Sequence, residues 1–148
     1  MSTEIVTLTL DEADQIATQA ILAGRKHEFQ AIAVAVLDVR GCLKVFKADE
    51  GTSLLRGEIA IAKAAGALGL GVGGRNLAKR AEQNPTFFQS LNAVSYGRMV
   101  PVRGSVLIRK KTGELVGAVG ISGDTAENDE VCAIAGIEAT GLVADAGE

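Results

Sequence analysis

Apolar residues recur at helical spacing near the start of the chain: Leu10, Ala13, Ile16, Ala17, Ala20 and Ile21. Asp11, Glu12, Asp14 and Gln15 fill the first turns between them. This stripe predicts an amphipathic helix with acids at the positive end of its dipole, ending near Gly24. Residues 31–37 then form an unbroken apolar run, the pattern of a buried strand. A turn over 38–41 leads into 42–47, where alternation is partial, so a hairpin is predicted. From 54 to 70 the spacing of Leu55, Ile59, Ala62, Ala65, Ala67 and Leu70 is helical again. Gly57, Ala60, Ala64 and Gly66 are small enough to let that helix approach a neighbouring backbone.

Beyond a break at 71–74, the pattern predicts a short helix over 76–82 and a brief helical or irregular piece from Pro85. A strand or extended segment is expected over 94–102. Two apolar runs, 104–109 and 115–122, flank a polar turn containing Gly113 and read as a second hairpin. The second run passes through Ser122, Gly123 and Asp124 into a final helix expected over 128–142. Such a strand-to-helix junction collects backbone donors and carboxylates at one edge of a sheet. Hairpins dominate and no repeated strand–helix–strand order runs through the chain, so the fold class is α+β, an antiparallel sheet with helices packed on it.

The chain has 148 residues, and no linker or repeat divides it, so one domain over 1–148 is expected. Hydrophobic residues make up 47% but aromatics only 3%, which leaves the core to Ala, Val, Ile and Leu. A net charge of -3 with no tryptophan excludes the basic footprint and stacking platform of a nucleic-acid binder. No apolar run is long enough to span a bilayer, and residues 1–11 lack the pattern of a secretory signal. A cytoplasmic protein is the expectation. Cys42 and Cys132 stand outside any CxxC pattern, which argues against a disulfide framework or zinc site.

Several stretches carry a family resemblance. Ala33-Val-Ala-Val-Leu-Asp38-Val-Arg-Gly41, Lys47-Ala-Asp49-Glu-Gly51, and Glu58-Ile-Ala-Ile-Ala-Lys63 come first. Val116-Gly-Ala-Val-Gly-Ile-Ser-Gly123-Asp follows, with Asn128-Asp129-Glu130 behind it. In this order and spacing they resemble the GlcG/HbpS family, which includes the C-terminal domain of PduO-type proteins. The resemblance implies a profilin-like fold, with a five-stranded antiparallel sheet flanked by helices. It also implies homo-oligomers and, for some relatives, binding of haem or a related tetrapyrrole. Where many relatives have paired glycines before a proline, this chain has Gly97, Arg98, Met99, Val100 and Pro101, with Arg103 just beyond.

Individual residues admit two readings each. His27 is the only histidine; it is either a haem axial ligand or an exposed cation in the helix-terminal cluster with Arg25 and Lys26. Asp49, Glu58 and Lys63 either line a polar pocket or belong to a loop and a surface of ion pairs. Arg98 and Arg103 either bind carboxylates, haem propionates included, or act as charges on a sheet edge, which is the reading for Arg109. Asp124, Glu127, Asn128, Asp129 and Glu130 lack EF-hand spacing and suit helix capping. The glycines over 69–74 follow a helix rather than a strand, so they are not a dinucleotide loop.

Three roles remain open on these residues. One is a small-ligand-binding protein, with haem as the implied cofactor and Asp49, Lys63, Arg103, Ser122, Gly123 and Asp124 as anchors. Its pocket would lie between the Ala-rich helix and the last hairpin. A second is an enzyme or accessory protein acting on a small carboxylate or hydroxy compound, with Lys63 paired to Asp49 or Glu58. The third is a purely structural role in which small residues serve subunit packing.

Overall fold

The computed structural model describes residues 5–148; the first four residues of the N-terminal segment read above lie outside them. Helix α1 runs Leu10–Lys26, and β1 (Ala33–Asp38) pairs with β2 (Leu43–Ala48). Next come α2 (Leu54–Leu70), α3 (Gly74–Gln83) and α4 (Pro85–Val94). Strands β3 (Ser105–Arg109) and β4 (Leu115–Ser122) form the second hairpin, followed by α5 (Ala126–Ala139) and β5 (Val143–Asp145). The five strands form one antiparallel sheet in the order β2-β1-β4-β3-β5. This is the α+β, five-stranded architecture expected from the sequence.

Helix α1 begins with a reciprocal capping box: Glu12 N–H donates to Thr9 Oγ1 at 3.1 Å, and Thr9 N–H donates to Glu12 Oε1 at 2.8 Å. Two orphan amides are satisfied, a contribution of about 1 kcal/mol. Helix α2 ends at Gly71, whose φ of 72° is open to glycine without strain.

Helices cover both faces of the sheet, so β1 is buried along its whole length and reads as continuous rather than alternating apolar sequence. Val34 and Val36 join Val106, Ile108, Val119 and Ile121 beneath α1 and α5. Ala33, Ala35 and Leu37 turn the other way, with Leu107 and Ala118, against Ala60, Ala64 and Ala67 of α2. The small side chains on α2 allow a very close approach. A Cβ added at Gly120 would collide with the carbonyl oxygen of Ala60 and stand 2.8 Å from Ala64 N. At Gly120, α2 is therefore packed directly on β4 with no space between them.

Two expected elements differ. Residues 94–102 form no strand: α4 ends at Val94, and Tyr96 (φ 56°) and Gly97 (φ 81°) then turn the backbone through the left-handed region. The fifth strand is β5 instead, paired along β3 as Leu107↔Asp145, Ile108↔Ala144 and Arg109↔Val143. Helix α5 stops at Ala139, short of the expected 142, because Gly141 (φ 81°) reverses the chain into that strand. A three-residue strand carries too few side chains for alternation to reveal it.

Candidate functional site

The register places Ala33 opposite Ser122, and Ser105 opposite Gly120, so the start of β1, the end of β4 and the start of β3 share one end of the sheet. The first turns of α5 close over this end, and Arg56 and Lys63 of α2 and Arg75 of α3 reach it from the other face. Lys63, Arg103, Ser122, Gly123 and Asp124, five of the anchors expected from sequence, come together here.

Lys63 is buried, and its ammonium donates to the Ile121 carbonyl at 2.8 Å and to Asp129 Oδ2 at 3.4 Å. Asp129 is buried as well and accepts from the Asp124 N–H at 2.9 Å. Burial pushes the Lys63 pKa down and the Asp129 pKa up, each partly countered by the other's charge. The ammonium is enclosed: a Cβ at Gly104 would stand 2.7 Å from Nζ. Lys63 thus ties α2 to α5 across the end of the sheet. The partners expected for it, Asp49 and Glu58, do not take that place.

One residue along α5, Glu130 is clamped between two arginines. Arg75 Nη2 and Nε donate to Oε1 at 2.7 and 2.9 Å, and Arg103 Nη2 and Nε donate to Oε1 and Oε2 at 2.9 and 3.2 Å. Burial alone would raise the Glu130 pKa, but the two guanidiniums hold the carboxyl below its ordinary range. Beside this clamp lies a cleft of about 510 Å³ lined by Arg75, Lys79, Arg103, Gly147 and Glu148.

A second opening lies near the Ser122–Gly123 junction, with a recess of about 150 Å³ among Gln30, Gly51, Thr52, Ser53, Arg56 and Gly123. It continues into a wider trough of about 470 Å³ along Asp124 and Thr125. Arg56 Nη1 donates to Ser122 Oγ at 3.1 Å, and among the described residues Arg56 has no carboxylate partner. Asp124 is committed to local structure. It accepts from the Gln30 N–H at 2.6 Å, which chiefly lowers its pKa, from the Thr125 N–H at 2.7 Å and from Asn128 Nδ2 at 2.7 Å. Thr125 caps α5 by accepting from the Asn128 N–H at 3.1 Å.

Asp49 stands apart from Lys63. It accepts from Arg25 Nε and Nη2 at 2.9 and 2.7 Å, and this pairing holds its carboxyl down at about 2. Its loop, through Gly51 and Thr52, still forms one wall of the Arg56 recess. His27 is exposed at the C-cap of α1, its ring stacked on Phe29 with centroids 5.0 Å apart. Glu58 and Arg98 are exposed, and Arg109 pairs with Asp145 at 2.8 Å.

Sequence reasoning missed Arg75 as a site residue and placed Glu130 in a capping group. The usable signal was the step from Asp129 to Glu130. Adjacent positions on a helix differ by about 100°, so two consecutive acids face different neighbours. Here each is buried against a different cation.

A five-stranded antiparallel sheet with helices on both faces, and a ligand-sized opening at one charged end, defines a small α+β protein. The family model described as haem degrading protein HbpS-like matches residues 8–138, and the chain belongs to that family. A double mutant of HbpS from Streptomyces reticuli is similar at 28% identity with a TM-score of 0.80, over 93% of this chain and 90% of that one. PduOC, solved as a complex with haem, is 22% identical with a TM-score of 0.82, over 97% of this chain and 100% of that one. The Klebsiella pneumoniae protein ORFY is also 22% identical, with a TM-score of 0.82, over 93% and 92% of the two chains. At these identities the last two establish the fold alone. No functionally curated protein matches the sequence. No helix among the described residues is long and apolar enough to cross a membrane.

Proposed function

We propose that this protein binds haem or a related tetrapyrrole, acting as a homo-oligomer, with the Arg56 recess as the anchoring point. The observation that carries the reading is the company Arg56 keeps. Leu54 and Leu55, which precede it in the first turn of α2, are 92% and 60% exposed. Phe46, 41% exposed, lies over the same turn, since a Cβ at Gly57 would stand 2.8 Å from its Cζ. A tetrapyrrole is a flat apolar plate with carboxylates along one edge. Apolar surface beside a cation is the chemistry that takes it.

Arg56 has five N–H donors and uses one on Ser122, so bidentate donors remain for a propionate. The side chains at the rim therefore fit the edge of the group. Gly123, also in the lining, has no room for a side chain: its Cβ would collide with the Ala31 carbonyl oxygen. His27 is our candidate axial ligand. It is the sole imidazole, it is exposed, and it lies three residues before Gln30 of the recess. When bound, haem supplies an iron centre whose reactivity follows its axial ligand and surroundings. Leu54 and Leu55, exposed just before Arg56 in the chain, favour cover by a second copy of the chain. Family membership and the haem complex of PduOC support the choice of ligand.

A haemin titration followed by visible absorbance tests this on the wild type, Arg56→Ala and His27→Ala. A saturable, stoichiometric Soret shift is expected, weakened about tenfold in Arg56→Ala and changed in position by His27→Ala. A shift indifferent to Arg56→Ala would move the site elsewhere. No saturable shift would overturn the haem reading and direct the search to small carboxylates or hydroxy acids, which suit the same guanidinium donors.

A further inference from the structure

The cleft beside the Glu130 clamp is built differently from the Arg56 recess. Its walls are Arg75, Lys79 and Arg103, with Gly147 and Glu148 at the mouth. Glu130 is 1% exposed and grips both arginines through four hydrogen bonds, so their guanidinium planes are fixed before any ligand arrives. A guanidinium has five N–H donors. Arg75 spends three, two on Glu130 and one on Glu148, and Arg103 spends two, which leaves two and three. Lys79 makes no ion pair among the described residues.

One occupant is already visible. Glu148 Oε1 accepts from Arg75 Nη1 at 3.2 Å while its side chain is 82% exposed. A single long bond from a mostly solvated carboxylate is weak and easily exchanged. It nevertheless shows that an oxyanion reaches the free edge of Arg75. The Arg75 N–H plays no part here, because it is taken by the Ala146 carbonyl at 3.1 Å. Ser105 Oγ and Asn76 Oδ1 are buried without partners. A Cβ at Gly74 would lie 2.9 Å from the former, and one at Gly147 would lie 2.9 Å from the backbone nitrogen of Asn76.

We propose that the Arg75–Lys79–Arg103 cleft is a binding site for a small organic dianion, a phosphate monoester or a dicarboxylate, which displaces the Glu148 side chain. Three cations face one buried carboxylate, so two positive charges remain once Glu148 leaves. Glu127, whose charge acts on Arg103, offsets part of that excess and favours a compact ligand over an extended polyanion. The site is separate from the Arg56 recess and does not depend on haem.

Isothermal titration with sodium phosphate and with sodium succinate tests it, with sodium acetate and sodium chloride at matched ionic strength as controls. Lys79 and Glu148 are exposed, so Lys79→Ala and Glu148→Gln leave the fold intact. Saturable binding of one dianion per chain is expected, roughly three- to tenfold weaker in Lys79→Ala and tighter by a similar factor in Glu148→Gln. Phosphate or succinate as the tighter ligand identifies the ester or the dicarboxylate. Equal heats from acetate or chloride, or binding indifferent to both substitutions, would overturn the site. So would the lack of any saturable binding. Haemin binding at Arg56 is unaffected by Lys79→Ala on this assignment, so either reading fails without the other.

Discussion

Lys63 and Asp129 face each other 3.4 Å apart with side chains 5% and 1% exposed, one on α2 and the other on α5. The two helices lie on opposite faces of the sheet, and this contact joins them around its end. The Ile121 carbonyl and the Asp124 amide complete the pair's hydrogen bonds, which is what makes two buried charges tolerable.

Removing either partner leaves the other charge buried and unpaired. Lys63→Met or Asp129→Asn is expected to cost about 3–5 kcal/mol. The double substitution should cost clearly less than the sum. Urea unfolding of the four proteins measures this, and strict additivity would show that the two groups do not stabilise each other.

Glu130 and Glu148 both bond to Arg75 but differ in burial. Glu130→Ala should lose about 3 kcal/mol, at the low end for a buried partner because the arginines are about a third exposed. Glu148→Gln should lose at most about 1 kcal/mol. Equal losses on thermal unfolding would contradict the clamp.

Arg25 and Asp49 anchor the end of α1 to the loop after β2. The folded carboxyl sits at about 2 against an ordinary 3.8. A depressed acid stabilises fully above its unfolded value and loses that contribution as pH falls through its folded value. Wild type should therefore lose stability over the interval from 3.8 down to about 2. Asp49→Asn should flatten that part of the profile. An unchanged acid limb in the variant would exclude the pair as its source.

Cys42 is exposed, whereas burial pushes the Cys132 thiol up to about 12. Iodoacetamide should label Cys42 alone in the native protein and Cys132 only after unfolding, since the thiolate is the reacting form. Mass spectrometry of the labelled chain reads this directly. Native labelling at Cys132 would show that α1 and α5 open locally.

Helix–sheet closeness offers a further test. Gly120→Ala would drive a methyl group into the Ala60 carbonyl. A loss of about 1–3 kcal/mol is expected, the usual cost of overpacking. A neutral result on urea unfolding would mean that α2 can slide outward.

Both hairpins and the stretches of α1 and α2 were legible in the chain because their signals are local. Apolar spacing over 54–70 states a helix, and the unbroken run over 31–37 states a strand covered on two faces. The 94–102 segment misled because Val94, Val100 and Val102 supply apolar character while Tyr96 and Gly97 decide the backbone. Five of the six proposed anchors do gather at one end of the sheet, since the register carries them there. Asp49 does not join Lys63, because Arg25 holds it.

The sequence by itself therefore determined both hairpins, the helices α1 and α2, the α+β class and the junction at Ser122–Asp124, all matters of periodicity and turn chemistry within a few residues. Only the tertiary structure decided that Lys63 meets Asp129, 66 residues away, and that Glu130 turns from its neighbour to Arg75 and Arg103. Charge partners in a folded chain are chosen by which helix faces are buried together. That choice follows from packing both faces of one sheet, and no local pattern encodes it.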